Sequence, residues 1–352
     1  DESWDEALRA HIPSMVSAST ELEYKLCLIQ VIRRVQDTHA NVWGKEQVLI
    51  DFWGKNSLPA YVRFVENRAL VTSLPDSLPD DFPLQIGDEI LEFDGVAIDQ
   101  RIREVKPYCT ASNEPTMMRN VGRKLIRTGK EKVAIKVNRS TGILDLETPT
   151  WPYSDLYKNK PSPGTHRDLE NNIGYMYPEA LERGQGKDVM AEFMDKKGVV
   201  IDMRCYPGDF LPFSLVGNLL MPQPGRFVKF TSGSKSHPGA FTCSDGPKIG
   251  KRNNDEAYKG KIVVIVDDRT QSSAEYQTMA FRAVPGTVVI GSQTSGADGN
   301  VSSIYLPGNV FTYISGIGIL TPEGEETQRI GIVPDSRDEL LEKAIEIIQE
   351  AN

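Results

Sequence analysis

Ser272 stands in Asp267-Asp268-Arg269-Thr270-Gln271-Ser272-Ser273-Ala274-Glu275, after the apolar run Ile262–Val266 and before Tyr276, Met279, Ala280 and Ala283, which are spaced for a helix. A hydroxyl in a strand-to-helix turn sits at the carboxyl end of a sheet, near helical N–H groups that can stabilise an oxyanion; this suits an acyl-transfer nucleophile. The pattern Ser272-x-x-Glu275 is equally a capping box, which would start a helix without any chemistry. A second turn, Arg204-Cys205-Tyr206-Pro207-Gly208-Asp209, follows the run Gly198–Met203. A glycine after a buried parallel strand lets backbone N–H groups approach a ligand, making Gly208 a candidate oxyanion donor; the alternative is a tight turn in which Pro207 fixes φ and Gly208 supplies a positive one. His39, in Asp37-Thr38-His39-Ala40, is one of four histidines. It reads either as a general base or as a hydrogen-bonded residue that ends a helix. His11, His166 and His237 have no such context, and surface or structural roles are expected of them.

The elements that must position these side chains are legible from periodicity. Thr20 and Glu23 have capping-box spacing, and Leu22, Leu26, Leu28, Ile29, Ile32 and Val35 give an apolar face, predicting a helix over about 21–35 that ends just before His39. From about 45 to 150 the texture changes to short strand-like runs such as Tyr61–Val65 and Lys132–Val137, separated by turn residues, with the stretch Ile102–Ile126 able to supply a helix. After the loop-like 158–164 the pattern becomes strand, helix, strand. Gly198–Met203, Ile262–Val266 and Thr287–Ile290 are continuous Val/Ile runs, as expected of parallel strands buried on both faces. A last helix is expected from near Ser336, with Glu339 at capping-box spacing and Leu340, Leu341, Ala344, Ile347 and Ile348 as its apolar face. These patterns predict an N-terminal helical segment carrying His39 (1–46), a β-rich domain (47–150) and an α/β core (151–352).

The 352 residues suffice for two or three folded units. A formal net charge of −9 without any Lys/Arg block argues against a nonspecific nucleic-acid binder. There is no apolar run of about eighteen residues, so no membrane span is expected. Cys27, Cys109, Cys205 and Cys243 are widely separated and form no CxxC pair, which offers neither a zinc knuckle nor a redox motif. Gly291-Ser292-Gln293-Thr294-Ser295-Gly296 is neither a P-loop nor a dinucleotide fingerprint and is expected to line the substrate cleft. Asp298-Gly299-Asn300 and Asp267-Asp268 lack EF-hand spacing. No metal and no cofactor are expected. The chain begins at Asp1, so a signal peptide or preceding domain, if it exists, is not read here.

Within the β-rich region, Leu84-Gln85-Ile86-Gly87-Asp88-Glu89-Ile90-Leu91-Glu92-Phe93-Asp94-Gly95 resembles the core of PDZ domains, a Gly-Asp turn, an apolar strand and an Asp-Gly hairpin. Taken in order, Asp37-Thr38-His39, this PDZ-like insert, Asp202-Met203-Arg204-x-x-Pro207-Gly208, Thr270-x-Ser272-Ser273-Ala274-Glu275 and Gly331-Ile332-Val333-Pro334-Asp335 resemble the S41 peptidase family. That family includes C-terminal processing peptidases, the tricorn core peptidase and the retinoid-binding modules of the interphotoreceptor matrix. The resemblance covers nearly the whole chain. It implies a parallel-sheet α/β core of ClpP/crotonase type and hydrolysis of peptide bonds in polypeptides, with Ser272 as nucleophile and the N–H groups of Ser273 and Gly208 as the oxyanion hole. The processing branch activates its serine with a lysine in Thr-Phe-Gly-Lys-Gly. Here the stretch reads Thr294-Ser295-Gly296-Ala297-Asp298, and Ala297 stands at the lysine's place. The resemblance therefore points to the tricorn-like branch, with His39 as base, Thr38 as the hydroxyl residue beside it and Gln328 where a glutamate commonly stands; Glu326 is the alternative for that fourth member. It also implies a periplasmic or extracellular location, and polypeptide substrates that dock by their C-termini on the PDZ-like domain. No Gly-Leu-Gly-Phe carboxylate loop is visible near Leu58–Phe64. The rival reading is a non-catalytic or weakly catalytic module of the same fold that holds peptides or apolar ligands.

Overall fold

The computed structural model of the chain describes residues 3–44, 47–234, 236, 237, 239–338 and 340–351. They form two compact units, one built from the residues up to Gln36, Ala40–Ser162 and Ile304–Tyr313, the other from Asp37–His39, Pro163–Ser303 and Ile314 onward. His39 thus belongs with the C-terminal core, and not with the helices that precede it.

In the first unit, α1 (Trp4–Ser17) and α2 (Glu21–Arg33) each begin at a complete capping box, Ser3 with Glu6 and Thr20 with Glu23. Buried Cys27, Leu28, Ile29 and Ile32 form the inner stripe of α2. The helix stops at Arg33, two residues short of the predicted end, because Gln36 turns into the left-handed region at φ 53°. After α3 (Gln47–Trp53) come β1 (Tyr61–Val65), β2 (Arg68–Ser73), β3 (Glu89–Phe93), β4 (Lys132–Arg139) and β5 (Gly142–Pro149). They lie in that order in one antiparallel sheet. The Asp-Gly signal makes the expected turn, with Asp94 and Gly95 both at positive φ. Buried Asp88 takes a two-pronged ion pair from Arg139, at 2.7 Å to each oxygen. The single helix expected within 102–126 is two, α4 (Ile98–Val105) and α5 (Glu114–Leu125), because Pro107 breaks the pattern and Asn113 caps a new start on Thr116 N–H.

The second unit contains β6 (His166–Leu169), β7 (Ile173–Met176), α6 (Gln185–Glu192), β8 (Gly198–Asp202), the wide helix α7 (Pro212–Leu220), β9 (Lys261–Val266), α8 (Ser273–Arg282), β10 (Val288–Gly291) and α9 (Leu341–Glu350). The central sheet runs β6-β7-β8-β9-β10, parallel except for the β6–β7 edge pair. On one face Val199, Ile201, Val264 and Val266 meet Leu215, Ala280 and Phe281. On the other, Tyr175, Val200, Val263 and Ile265 meet Ala344 and Ile348 of α9. Covering both faces is what the unbroken Val/Ile runs demanded. The last helix begins five residues later than predicted, since Ser336 extends as a bridge to Ile290, and Asp335 exchanges hydrogen bonds with Val289. The predicted capping partner Glu339 lies outside the described residues. No helix among the described residues is long and apolar enough to cross a membrane.

Candidate active site

The ends of β8 and β9 are joined by side chains that their own sequences supply. Thr270, fully buried, donates to Met203 O at 2.7 Å and accepts from Asp267 N–H at 3.1 Å. Asp202 and Asp267 each fold a following arginine back on themselves, Arg204 and Arg269, with contacts of 2.7–3.2 Å. These knots fix the two turns from which Gly208 and Ser272 project.

Ser272 has φ 56° and ψ −119°, a combination foreign to a non-glycine N-cap, directly between β9 and α8. An ordinary capping serine is extended, so a cap alone does not require this conformation. Such strain of about 1–3 kcal/mol persists where the surroundings over-determine it, and it clusters at active sites. It is the geometry of a nucleophile held out of a strand-to-helix turn. The carboxylate half of the predicted box is formed, Ser272 N–H donating to Glu275 Oε2 at 3.1 Å. Glu275 does more than cap, however. Wholly buried, it also accepts from Thr294 Oγ1 (2.5 Å), Gly296 N–H (2.7 Å) and Ala297 N–H (3.1 Å). Thr294 in turn takes Ile332 N–H at 2.7 Å, so the Gly331–Asp335 stretch is stitched to the same centre. Ala297 is completely buried against it.

His39 reaches this place through Ser295. Thr38 Oγ1 donates to Ser295 O (3.4 Å), while Ser295 N–H donates to Thr270 O (3.0 Å) and Ser295 Oγ to Gln271 Oε1 (3.3 Å). One residue thereby ties the neighbour of His39 to the two residues before Ser272. Buried Asp37 organises the imidazole. Its Oδ1 accepts His39 N–H at 3.0 Å and lies 3.6 Å from Nδ1, its Oδ2 accepts Ser315 N–H at 2.5 Å, and Ser315 Oγ is 3.1 Å from Nδ1. Burial opposes ionisation of Asp37, but the hydrogen bonds from His39 and Ser315 outweigh it and hold the carboxyl below its ordinary range.

Gly208 N–H is not free, donating to Pro178 O at 2.9 Å. Nor does Gly208 supply a positive φ; glycine is required because a Cβ there would lie 2.3 Å from Leu181 O. Gln328 was expected to accept a hydrogen bond for the imidazole, yet its buried Oε1 takes none from any described residue, and Glu326 is solvent-exposed. The groups that do meet Nδ1 are Ser315 and Asp37. Asp37 was within reach of sequence reasoning, two residues before His39, whereas Ser315 is 276 residues away and carried no signal. Ser273 is the first residue of α8, where no intrahelical acceptor exists for its N–H. His11, His166 and His237 pair locally, with Ala7 O, Thr165 Oγ1 and Ser236 Oγ.

A parallel α/β core with a serine at a strained strand-to-helix turn, accompanied by a small antiparallel β domain, defines a peptidase-type core with a PDZ-like module. Residues 172–337 match the sequence model of peptidase family S41, and residues 54–154 match that of a PDZ domain. The structure of mature CPAF is similar with a TM-score of 0.71 at 12% identity, over 99% of this chain and 89% of that one. Mature CPAF complexed with lactacystin gives 0.68 at 12%, over 99% and 92%. A putative peptidase from Parabacteroides merdae gives 0.55 at 14%, over 99% and 89%. At these identities the likeness is one of fold. A nisin-resistance protein of Lactococcus lactis subsp. lactis is 28% identical over 114 residues, 31% of this chain; the chain spans about a third, 36%, of that curated relative.

Proposed function

We propose that the protein is a serine endopeptidase acting on polypeptides, with Ser272 as nucleophile and His39 as general base. The observation that carries this is the backbone of Ser272, strained at φ 56° and ψ −119° between β9 and α8. Donation of Nδ1–H to Ser315 Oγ selects the tautomer whose Nε2 is a bare acceptor, and ionised Asp37 beside Nδ1 favours the imidazolium that forms. Ser272 Oγ attacks the peptide carbonyl carbon while its proton passes to Nε2. Collapse of the tetrahedral adduct breaks the C–N bond, and the same proton leaves with the amine. Water then repeats the sequence on the acyl-enzyme. Ser273 N–H faces the developing oxyanion, and Gly208 N–H joins it once its bond to Pro178 O is exchanged for the substrate oxygen. Ala297 leaves no lysine to serve as base.

A fluorophosphonate probe should label the wild-type chain at Ser272, mapped by mass spectrometry, and labelling should vanish in Ser272→Ala and fall strongly in His39→Ala. Labelling elsewhere, or none, would refute the assignment. The engaged N–H of Gly208 and the uncharged Gln328 favour a second reading, a ligand-holding module of the same fold, which predicts no labelling together with peptide binding. Location outside the cytoplasm is proposed from the family resemblance alone.

A further inference from the structure

Tyr276 lies one helical turn beyond Ser272, its N–H donating to Ser272 O at 3.0 Å, and so shares the nucleophile's face of α8. Its ring lies nearly parallel to those of Phe210 (5.8 Å, 17°) and Phe230 (6.4 Å, 16°), with buried Phe227 edge-on to it at 5.0 Å. Phe213 continues the row from Phe210 at 6.0 Å. Phe210 follows Gly208 by two residues, so this row of rings begins at the turn beside the nucleophile.

Two features set the row apart from a core extension. Phe210 and Phe213 remain 48% and 45% exposed, although the remainder of the cluster is packed. Their backbone is held so that the rings stay outward. Asp209 accepts N–H groups from Gly184, Gly186 and Phe210, while fully buried Gln277 takes Leu211 N–H at 3.1 Å and donates to Asp209 O at 3.0 Å and Ser273 Oγ at 3.0 Å. Phe213 sits in the first turn of α7, whose wide winding is seen in Met221 N–H reaching Val216 O. Helices wound this way are rare, short-lived in sequence and frequent at functional sites.

We infer that Phe210, Phe213 and Tyr276 form a subsite for a bulky apolar or aromatic side chain of the polypeptide substrate, next to the scissile bond. The inference rests on the peptidase reading for its occupant. The rings' continuity with the Ser272 turn says what covers them, since a peptide whose carbonyl reaches Ser272 Oγ must carry a neighbouring side chain across this face. Offset and edge contacts to three rings discriminate aromatic and large aliphatic side chains from small or charged ones.

Binding to the intact Ser272→Ala chain tests this without requiring turnover. Amidated hexapeptides identical except for one central residue, scanned along the peptide, should bind on the order of tenfold more tightly with Phe or Leu than with Ala or Asp at one position. Phe210→Asp in the Ser272→Ala background should erase that discrimination, and Phe210→Tyr should keep it; retention by Phe210→Tyr shows that the fold of the loop survives substitution. Equal binding of the Phe and Ala peptides, or discrimination that persists in Phe210→Asp, would overturn the subsite. Fluorophosphonate labelling of the wild-type chain reports separately on the peptidase reading, so the two can fail independently.

Discussion

At the scale of single residues, the proposed base His39 is set by a clamp that closes on itself. Asp37 holds the backbone N–H groups of both His39 and Ser315, and the Ser315 hydroxyl oxygen lies 3.1 Å from Nδ1 of the imidazole. Asp37→Asn keeps the shape but replaces an anion by an amide that can donate, which favours the wrong tautomer and removes the charge beside the imidazolium. We expect kcat on a peptide substrate to fall by about two orders of magnitude or more, with Ser315→Ala costing about tenfold, and Gln328→Ala changing little because its amide oxygen takes no hydrogen bond from any described residue. Steady-state kinetics of the three variants check the order; equal losses in Gln328→Ala and Asp37→Asn would return the orienting role to Gln328. Because the Asp37 carboxyl is held below its ordinary value, the stability it contributes is fully present above a pH of about 3.9 and is lost only as pH falls through the lowered value. The clamp therefore stays charged across the neutral and mildly acidic range, and an acid titration of Asp37 by NMR should place its midpoint below that of a model peptide.

At the scale of elements, the turns are held by buried polar side chains that periodicity does not reveal. Strands and helices could be read from apolar runs and caps, and β9, α8 and the start of α2 lie where those patterns put them. Gln277 is different. In a helix whose apolar residues mark the buried face, it is a polar side chain wholly within the core, and two of its three partners, Leu211 and Asp209, come from a turn 66 and 68 residues away. Gln277→Ala would strand Leu211 N–H and Asp209 O without partners, at about 1–3 kcal/mol for each buried group. A drop in denaturation midpoint matching about 2–6 kcal/mol is expected, and an unchanged midpoint would show that these groups find other partners. Glu275 and Asp298 form a second hidden pair. Burial, and the Glu275 carboxylate beside it, push Asp298 well above the ordinary carboxylate range, and burial raises Glu275 as well. Asp298 Oδ2 takes no hydrogen bond from any described residue, whereas Glu275 has four donors, so of the two carboxyls Asp298 is the one whose protonated form the surroundings favour. Raised values in the fold give stability that is present below a pH of about 4 and is lost as pH rises through them. Asp298→Asn cannot ionise, so its melting temperature should decline less than wild type between pH 5 and pH 9; parallel declines would remove the pair from the account.

At the scale of the whole molecule, the order of motifs along the chain resembles that of family S41, and long-range pairings bring those motifs to one place. Asp37–His39, Thr270–Glu275, Thr294–Ala297 and Gly331–Asp335 are distant in sequence but joined through Ser295, Glu275 and Thr294. What the sequence could not convey was the state of each group, such as the engagement of Gly208 N–H, because a glycine's hydrogen-bond partner is not encoded locally. The same holds for the PDZ domain and its expected role in docking C-termini. A peptide added to the free edge of β1 needs about 4.8 Å of strand spacing. In the first unit α5 packs on that edge so closely that a Cβ on Gly122 would lie 2.8 Å from Val62 O, and β1 carries an irregular register at Tyr61 and Val62. No strand fits at Val62 while α5 stays in place. We therefore expect the full-length Ser272→Ala chain to bind a peptide with a free C-terminal carboxylate and its amidated twin within about twofold of each other, a difference of about 0.4 kcal/mol. Calorimetric titration of the two peptides decides it: a tenfold preference for the free carboxylate would mean that α5 swings away from Val62 to open the groove, and Gly122→Val, which wedges that contact, should then increase the affinity further.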